Sequence, residues 1–366
     1  MGMFSKDKKE EGNRQDAVLD ALRTVEDPDL HKDLVSLGMI KELKVEGETA
    51  SFTVELTTPA CPMKGKIEQD CRDAVGKVEG ISDIQINMTA NTAAKGGTNE
   101  AAPIPGVANV FAVSSGKGGV GKSTVAANLA LALQKIGARV GLMDADAYGP
   151  NIPQMMGVTD APTVKENRII PPEVGGMKVV SVGLIAQGDT PVVWRGPMLH
   201  SLIQQFLHDV EWGELDYLVV DMPPGTGDAQ LSLSKLTPLA GAVLVTTPQK
   251  VAQSDVKRAI QMFRKVETPV LGVVENMSYF IAPDTGQHYS IFGSGGGEQL
   301  AMEYEIPFLG RIPIDPRIAE GGDAGKPAML EQQESTLVTE FEKIAGQVAQ
   351  QISIANKLNQ PLPVLQ

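Results

Sequence analysis

The stretch that most constrains this chain runs from Asn109 to Gly137, NVFAVSSGKGGVGKSTVAANLALALQKIG. It reads as an apolar strand, a glycine-rich turn and a helix in immediate succession. Gly116, Gly121, Lys122 and Ser123 fit the spacing G-x-x-x-x-G-K-[ST]. Glycines let the backbone curl so that successive N–H groups converge on phosphate oxygens. The helix that follows adds the positive end of its dipole. Lys122 is placed to neutralise β- and γ-phosphates, and the Ser123 hydroxyl to reach Mg²⁺. Gly116, Lys117, Gly118, Gly119, Val120, Gly121, Lys122, Ser123 and Thr124 are therefore the expected cradle for ATP and Mg²⁺. The helix, expected over Ser123 to Ile136, is apolar almost all round, which predicts burial, and Gly137 is positioned to end it.

The rest of the chain repeats this alternation. Apolar runs suited to strands are NVFAVSS, ARVGLMD, MKVVSVG, DYLVVD, GAVLVTTP, PVLGVVEN and PFLGRIP, with helical segments between them. Near-continuous apolar strands separated by helices predict a mainly parallel sheet covered on both faces, an α/β fold of the P-loop NTPase kind. A closing helix is expected near residues 331–357. Residues 91–107, NTAAKGGTNEAAPIPGV, have linker composition. They divide a small unit (13–90) from the larger one (108–358). The small unit reads helix (Gln15 to Val25), strand (Met39 to Val45), strand (Ser51 to Leu56), helix (Met63 to Val78), strand (Ile81 to Met88), an α+β pattern.

Two more strand ends carry acids. GLMDADAYGP supplies Asp144 and Asp146, and YLVVDMPPGTGD supplies Asp221 and Gly225. Ligands in open α/β sheets bind at the carboxyl ends of strands. Asp221 is placed as an acid on Mg²⁺. Asp146 is expected to orient an attacking water, Asp144 to assist the metal shell, and the Gly225 N–H to meet the γ-phosphate.

Composition removes other classes. Lys and Arg number 32 against 45 Asp and Glu, a net charge of −13, which opposes non-specific nucleic-acid binding. No apolar run reaches the roughly 18 residues of a membrane helix. The N-terminus, MGMFSKDKKEEGNRQ, lacks the apolar stretch of a secretion signal. Two cysteines, Cys61 and Cys71, suit a reducing compartment. The expected location is cytoplasmic, with no membrane and no nucleic acid as partner.

The segments GKGGVGKST, DADAYGPNIP, WRGPMLHSLIQQF, DYLVVDMPPGTGD, TTPQ and GVVENMSYF together resemble the Mrp/ApbC family of iron–sulfur cluster carrier ATPases, relatives of MinD. DPDLHKDLVSLGMI and TTPACPMK resemble the small iron–sulfur assembly-type domain often fused ahead of that ATPase. The resemblance implies a homodimer with ATP sandwiched between subunits, Lys117 reaching the nucleotide of the facing copy, and scaffold or apo-protein clients. It implies that Asn276, Pro313 and Asp315 border the adenine. It also implies catalytic roles for Lys117, Lys122 and Asp146.

One departure matters. Members of that family place a C-x-x-C pair just after ENMSYF, where two subunits hold a bridging iron–sulfur cluster. This chain has IAPDTGQHY there, with Ala282 near the first thiol position. Soft thiolates are the normal ligands of such clusters, and Ala and Thr do not replace them. Asp284 and His288 read as a surface turn. The remaining place for a cluster ligand is Cys61, at a loop-to-helix junction where N–H groups would lower its pKa. Cys71 reads as a packing residue. Three readings fit: an ATPase of iron–sulfur assembly and transfer, a cluster-free ATP-dependent adaptor or chaperone, or a MinD/ParA-like positioning ATPase. The last predicts an amphipathic membrane tail or a basic DNA surface, which the poorly basic stretch QQISIANKLNQPLPVLQ and the acidic pI near 4.9 oppose, and a phosphotransferase would lack an evident acceptor site.

Overall fold

The computed structural model describes residues 3–92, 101–185, 196–331 and 335–358. Most of the expected linker (93–100), Trp194 and Arg195 of the WRGPM segment, and the tail beyond Leu358 lie outside the described residues. The chain divides into two compact units, Met1–Ala93 and Ala94–Gln366.

The smaller unit is built from α1 (Met3–Leu22), β1 (Ile40–Glu46), β2 (Thr49–Leu56), α2 (Lys64–Val75) and β3 (Asp83–Ala90). The strands lie in the order β1-β2-β3, the first pair antiparallel and the second parallel. Gly47, at φ 61°, makes the tight turn between β1 and β2. The first helix starts earlier than its apolar periodicity indicates and ends at Leu22, three residues before Val25. Val25 instead leads into a two-residue strand, Glu26–Asp27, paired with Lys32–Asp33. Asp27 shapes that turn by accepting the N–H groups of Asp29 and Leu30 at 2.9 and 3.0 Å. Alternation along β2 buries Phe52, Val54 and Leu56 against Val18 and Leu22 of α1 and Ile67, Cys71 and Val75 of α2.

The larger unit carries β4 (Val107–Ser115), α3 (Lys122–Lys135), β5 (Val140–Asp144), α4 (Ile152–Met156), β6 (Glu173–Val174), β7 (Met177–Ser181) and α5 (Gly196–His208). It continues with β8 (Leu215–Asp221), α6 (Asp228–Leu236), β9 (Leu239–Thr246), α7 (Lys250–Lys265), β10 (Val270–Glu275), α8 (Gly296–Glu303), β11 (Phe308–Arg311), α9 (Pro316–Asp323) and α10 (Thr336–Leu358). Among the described residues the sheet has eight strands in the order β6-β7-β5-β8-β4-β9-β10-β11. All pairs are parallel except β6 with β7. Each of the seven apolar runs is a strand of this sheet, and β5, β8 and β9 are buried along their whole length.

Helices cover both faces, as such two-sided burial requires. On one side Leu199, Leu202 and Phe206 of α5, Leu233 of α6, and Val256, Ile260 and Phe263 of α7 pack on Val110, Ala112, Leu218, Val220 and Leu244. α3 and α10 pack against each other and on the sheet. The antiparallel edge strand β6 and a polar hairpin, Thr163–Lys165 with Arg168–Ile170, have no apolar alternation to reveal them. Among the described residues no helix is long and apolar enough to cross a membrane.

Candidate nucleotide-binding site

Ser115, Asp144, Asp221 and Glu275 stand at the carboxyl ends of β4, β5, β8 and β10. The site grows from those four strand ends. The loop after β4 turns through Gly119 and Gly121, both at φ 80°, a backbone region that L side chains rarely occupy. Space adds a second constraint. A Cβ on Gly116 would stand 2.2 Å from the backbone carbon of Asp255, and one on Gly121 would stand 2.2 Å from the Asn276 amide nitrogen. The Ser115 hydroxyl donates to the Lys117 carbonyl at 2.9 Å. Lys117, half-buried, lines the hollow over the loop with Gly118, Gly119, Ser123, Thr124, Asp146, Tyr148 and Pro224.

Lys122 begins α3 and is buried. Its Nζ lies 2.6 Å from Asp221 Oδ1, 3.4 Å from Asp146 Oδ2 and 3.1 Å from the Ser123 hydroxyl oxygen. The structure thus gathers Lys122, Ser123, Asp146 and Asp221 at one point. Two buried carboxylates balance the ammonium in a region of low dielectric, where an unpaired charge would be costly. Phosphate oxygens arriving over the loop would compete with these carboxylates for the same cation. Asp221 Oδ2 is buried and, among the described residues, meets no hydrogen-bond partner at good geometry, with the Ser123 hydroxyl nearby. A buried carboxylate oxygen left over beside a hydroxyl suits a hard divalent cation that takes oxygen ligands. Among the described residues no three His, Cys, Asp or Glu side chains converge as a metal site. Mg²⁺ here would therefore rely on Ser123, Asp221, phosphate and water, the mixed shell this ion favours.

Two of the expected residues have partners within the protein. Asp144 does not face the phosphate hollow as a free ligand. It is fully buried, and its oxygens accept the Asp146 N–H at 3.0 Å, the Ser181 hydroxyl at 2.8 Å and the Ile152 N–H at 3.4 Å. It shapes the turn that presents Asp146. Burial, with the neighbouring Asp221 charge, pushes its carboxyl up to about 8. Folding therefore takes up a proton between about pH 4 and pH 8, and stability declines as pH rises through that window. Asp144→Asn, which mimics the protonated form, is expected to flatten this decline and melt above the parent chain at pH 8. Melting temperatures from pH 4.5 to 8.5 check it, and parallel profiles for the two proteins would refute it. Gly225 is the second. Its N–H donates to the Ser115 carbonyl at 2.8 Å, so it reaches a phosphate only if that bond opens.

Beside the phosphate hollow lies an apolar cavity of about 460 Å³. Gly121, Thr124, Asn151 and Met155 line both spaces, which makes them neighbours. Asn276, Pro313 and Asp315 all border the cavity. The Asn276 amide donates to the Val120 carbonyl at 2.9 Å and so braces the phosphate loop. Asp315 caps α9 and pairs with Arg317, whose guanidinium holds the carboxyl below its usual range. Met155, Met277, Ile314 and Phe292 add apolar lining. Those four carry no motif of their own. Only their closeness in sequence to Asn151, Asn276, Pro313 and the Gly293 loop pointed towards them.

The segment after β10 is a hairpin: Phe280–Ile281 pairs antiparallel with His288–Tyr289. The His288 ring stacks on Tyr279 with centroids 5.0 Å apart. Ala282, at the expected thiol position, accepts the Gly286 N–H and donates its own N–H to Gln287 O. In the smaller unit Cys61 departs from expectation. Burial, reinforced by Asp29 and Asp27, pushes its thiol up to about 11, against the lowering by the N–H groups of Met63 and Lys64. Burial likewise pushes Cys71 up to about 12. Both shifts run opposite to that of an activated thiolate.

Comparison with known proteins matches this architecture. The family described as "NUBPL iron-transfer P-loop NTPase" matches residues 106–349, and the one described as "Iron-sulfur cluster assembly protein" matches residues 15–88. The "Iron-sulfur cluster carrier protein" of Deinococcus radiodurans is 53% identical over 96% of this chain and 99% of that protein. The protein of the same description from Synechocystis is 49% identical over 93% of this chain and 98% of its own length. Among solved structures, a nucleotide-binding protein in complex with ADP from Archaeoglobus fulgidus is 39% identical, with a TM-score of 0.54. That match covers 63% of this chain and 94% of the other.

Proposed function

Since the chain belongs to the family of iron-transfer P-loop NTPases, we propose that it is a cytoplasmic ATPase that works as a nucleotide-switched dimer in iron–sulfur cluster assembly and transfer. The observation that carries this reading is the buried cluster of Lys122, Asp221, Asp146 and Ser123 on the phosphate loop. Lys122 and the loop amides hold the phosphates of ATP, and Ser123 and Asp221 hold the divalent cation. When bound, that cation would spread the negative charge of the transferring phosphoryl group. Asp146 orients a water in line with the γ-phosphorus. Attack breaks the bond to the bridging oxygen and yields ADP and phosphate. Lys117 reaches the nucleotide of a second copy and adds charge stabilisation there.

The same geometry supports a switch. A γ-phosphate draws Lys122 from its two carboxylates and the Gly225 N–H from Ser115, so the segments after Asp144 and Asp221 respond together. The cluster is cargo on this reading, handed between scaffold and apo-protein clients. The raised thiols and the thiol-free hairpin favour a second reading, an ATP-dependent adaptor that holds no cluster itself.

One experiment separates these. The protein is purified without oxygen, reconstituted with iron and sulfide, and assayed for cluster content, transfer to an apo-ferredoxin and ATP turnover, beside Lys117→Ala. The first reading expects a stoichiometric, transferable cluster. It also expects Lys117→Ala to lose ATP-dependent dimerisation and to fall at least about 100-fold in turnover, the scale of losing one transition-state charge contact. ATP turnover without a cluster selects the adaptor. Unchanged dimerisation and turnover in Lys117→Ala sinks the sandwich.

A further inference from the structure

The apolar cavity beside the phosphate loop has a wall supplied from outside every nucleotide-binding motif. Phe292 lies on the far side of the hairpin from Asn276, yet both border the same space. Phe292 is 42% exposed, so part of its apolar surface is free for a ligand in the cavity to cover. The neighbouring wall is also apolar, with Met155, Met277, Ile314 and Ile318, and the cavity shares Gly121, Thr124, Asn151 and Met155 with the phosphate hollow. A flat aromatic group attached to a phosphate chain fits that shape and lining.

The position of Phe292 is set by hydrogen bonds at the hairpin root. Glu275, fully buried, accepts the Gly295 N–H at 3.2 Å and the Gly297 N–H, which ties down the chain just past Phe292. Gly293 and Gly295, at φ 85° and 75°, allow the reversal that brings the chain there. Ser278 donates its N–H to Ile312 O at 3.0 Å, and Ile314 donates to Tyr279 O at 2.6 Å, so the outgoing arm runs along the cavity wall. Asn276, one residue from Glu275, reaches the phosphate loop through Val120. Residues 275–279 therefore join three things: the phosphate loop, the cavity and both arms of the hairpin.

Resting on the nucleotide-site reading above, we propose that Phe292 is a base-binding residue that stacks on the purine base and thereby ties nucleotide occupancy to the order of the 279–292 arm. Covering the exposed ring with a base removes apolar surface from water on both partners. Every base offers a π-face, while shape and the Asn276 and Asp315 groups at the rim set which base fits. The 279–292 arm would feel the base directly, through its own side chain.

Binding of ADP and of inorganic tripolyphosphate, measured by calorimetry on the full chain, tests this with Phe292→Ala and Phe292→Trp. Phe292 is exposed, so both variants should fold, and circular dichroism confirms that. Phe292→Ala is expected to weaken ADP about tenfold, in the range of base–aromatic stacking, while tripolyphosphate binding stays within about twofold. Phe292→Trp restores ADP binding. ADP slows amide exchange over residues 280–292 in the parent and in Phe292→Trp but not in Phe292→Ala. An alanine variant that binds ADP like the parent overturns the proposal and leaves the nucleotide site standing. Equal weakening of ADP and tripolyphosphate overturns it too, as general damage to the loop. A parent protein that binds neither ligand removes the nucleotide-site reading itself, and this inference with it.

Discussion

Replacing Lys122 by alanine should reduce ATP turnover at least about 100-fold and destabilise the folded larger unit by about 3 kcal/mol at neutral pH. Both effects come from one ammonium group. It sits 2.6 Å from Asp221 Oδ1 and 3.4 Å from Asp146 Oδ2, and all three side chains are buried. Its removal leaves two carboxylates facing each other without a counter-charge, and breaking a buried pair by deleting one partner costs more than the pair contributes. The catalytic loss follows because no other described cation is buried on the loop at the foot of α3. Phosphate release and urea unfolding measure the two effects separately. The double variant Lys122→Ala/Asp221→Asn should recover part of the stability but none of the turnover, because one of the two unpaired carboxylates is removed while the phosphate contact stays absent. A single variant as stable as the parent would mean that the carboxylates are solvated rather than paired.

That ion cluster also shows how far sequence reaches in this protein. The seven apolar runs could be read as parallel strands because burial on both faces leaves no polar alternation to confuse them. The strand ends then placed Lys122, Ser123, Asp146 and Asp221 within reach of each other. Asp144 and Asp146 could not be told apart by spacing, since both lie where β5 gives way to a turn. The decision belongs to Ser181, 37 residues later on the neighbouring strand, whose hydroxyl takes up an Asp144 oxygen. Cys61 follows the same rule. Its helix junction was legible, but the acids that raise its pKa, Asp29 and Asp27, lie more than 30 residues earlier in the chain. Phe292 carries no motif of its own, and its place at the cavity depends on hydrogen bonds to Glu275.

Glu275→Ala should therefore unfold the root of that arm, at a cost of about 3 to 5 kcal/mol. The Glu275 carboxylate is fully buried and accepts from the Ser278 hydroxyl, the Gly295 N–H and the Gly297 N–H, with Arg311 Nε 3.9 Å away. Alanine leaves those donors without a partner in a space closed to water, and each buried unsatisfied donor costs roughly 1–3 kcal/mol. The glycines cannot retreat to another acceptor without moving. A Cβ built on Gly296 would already meet the Gln253 amide at 1.9 Å and the Pro248 carbonyl at 2.5 Å, so the backbone there is packed tight. For a unit of this size the loss corresponds to a melting temperature roughly 8 °C lower. Glu275→Gln keeps one acceptor but turns an amide N–H towards a backbone donor, so it should lose about half as much. Hydrogen exchange locates the damage: protection should fall at 293–297 and in the first turn of α8, while β4, β5 and β8 keep theirs. If Glu275→Ala melts with the parent and exchanges like it, the arm is held by something other than this carboxylate, and its link to the phosphate loop through Asn276 loses its anchor.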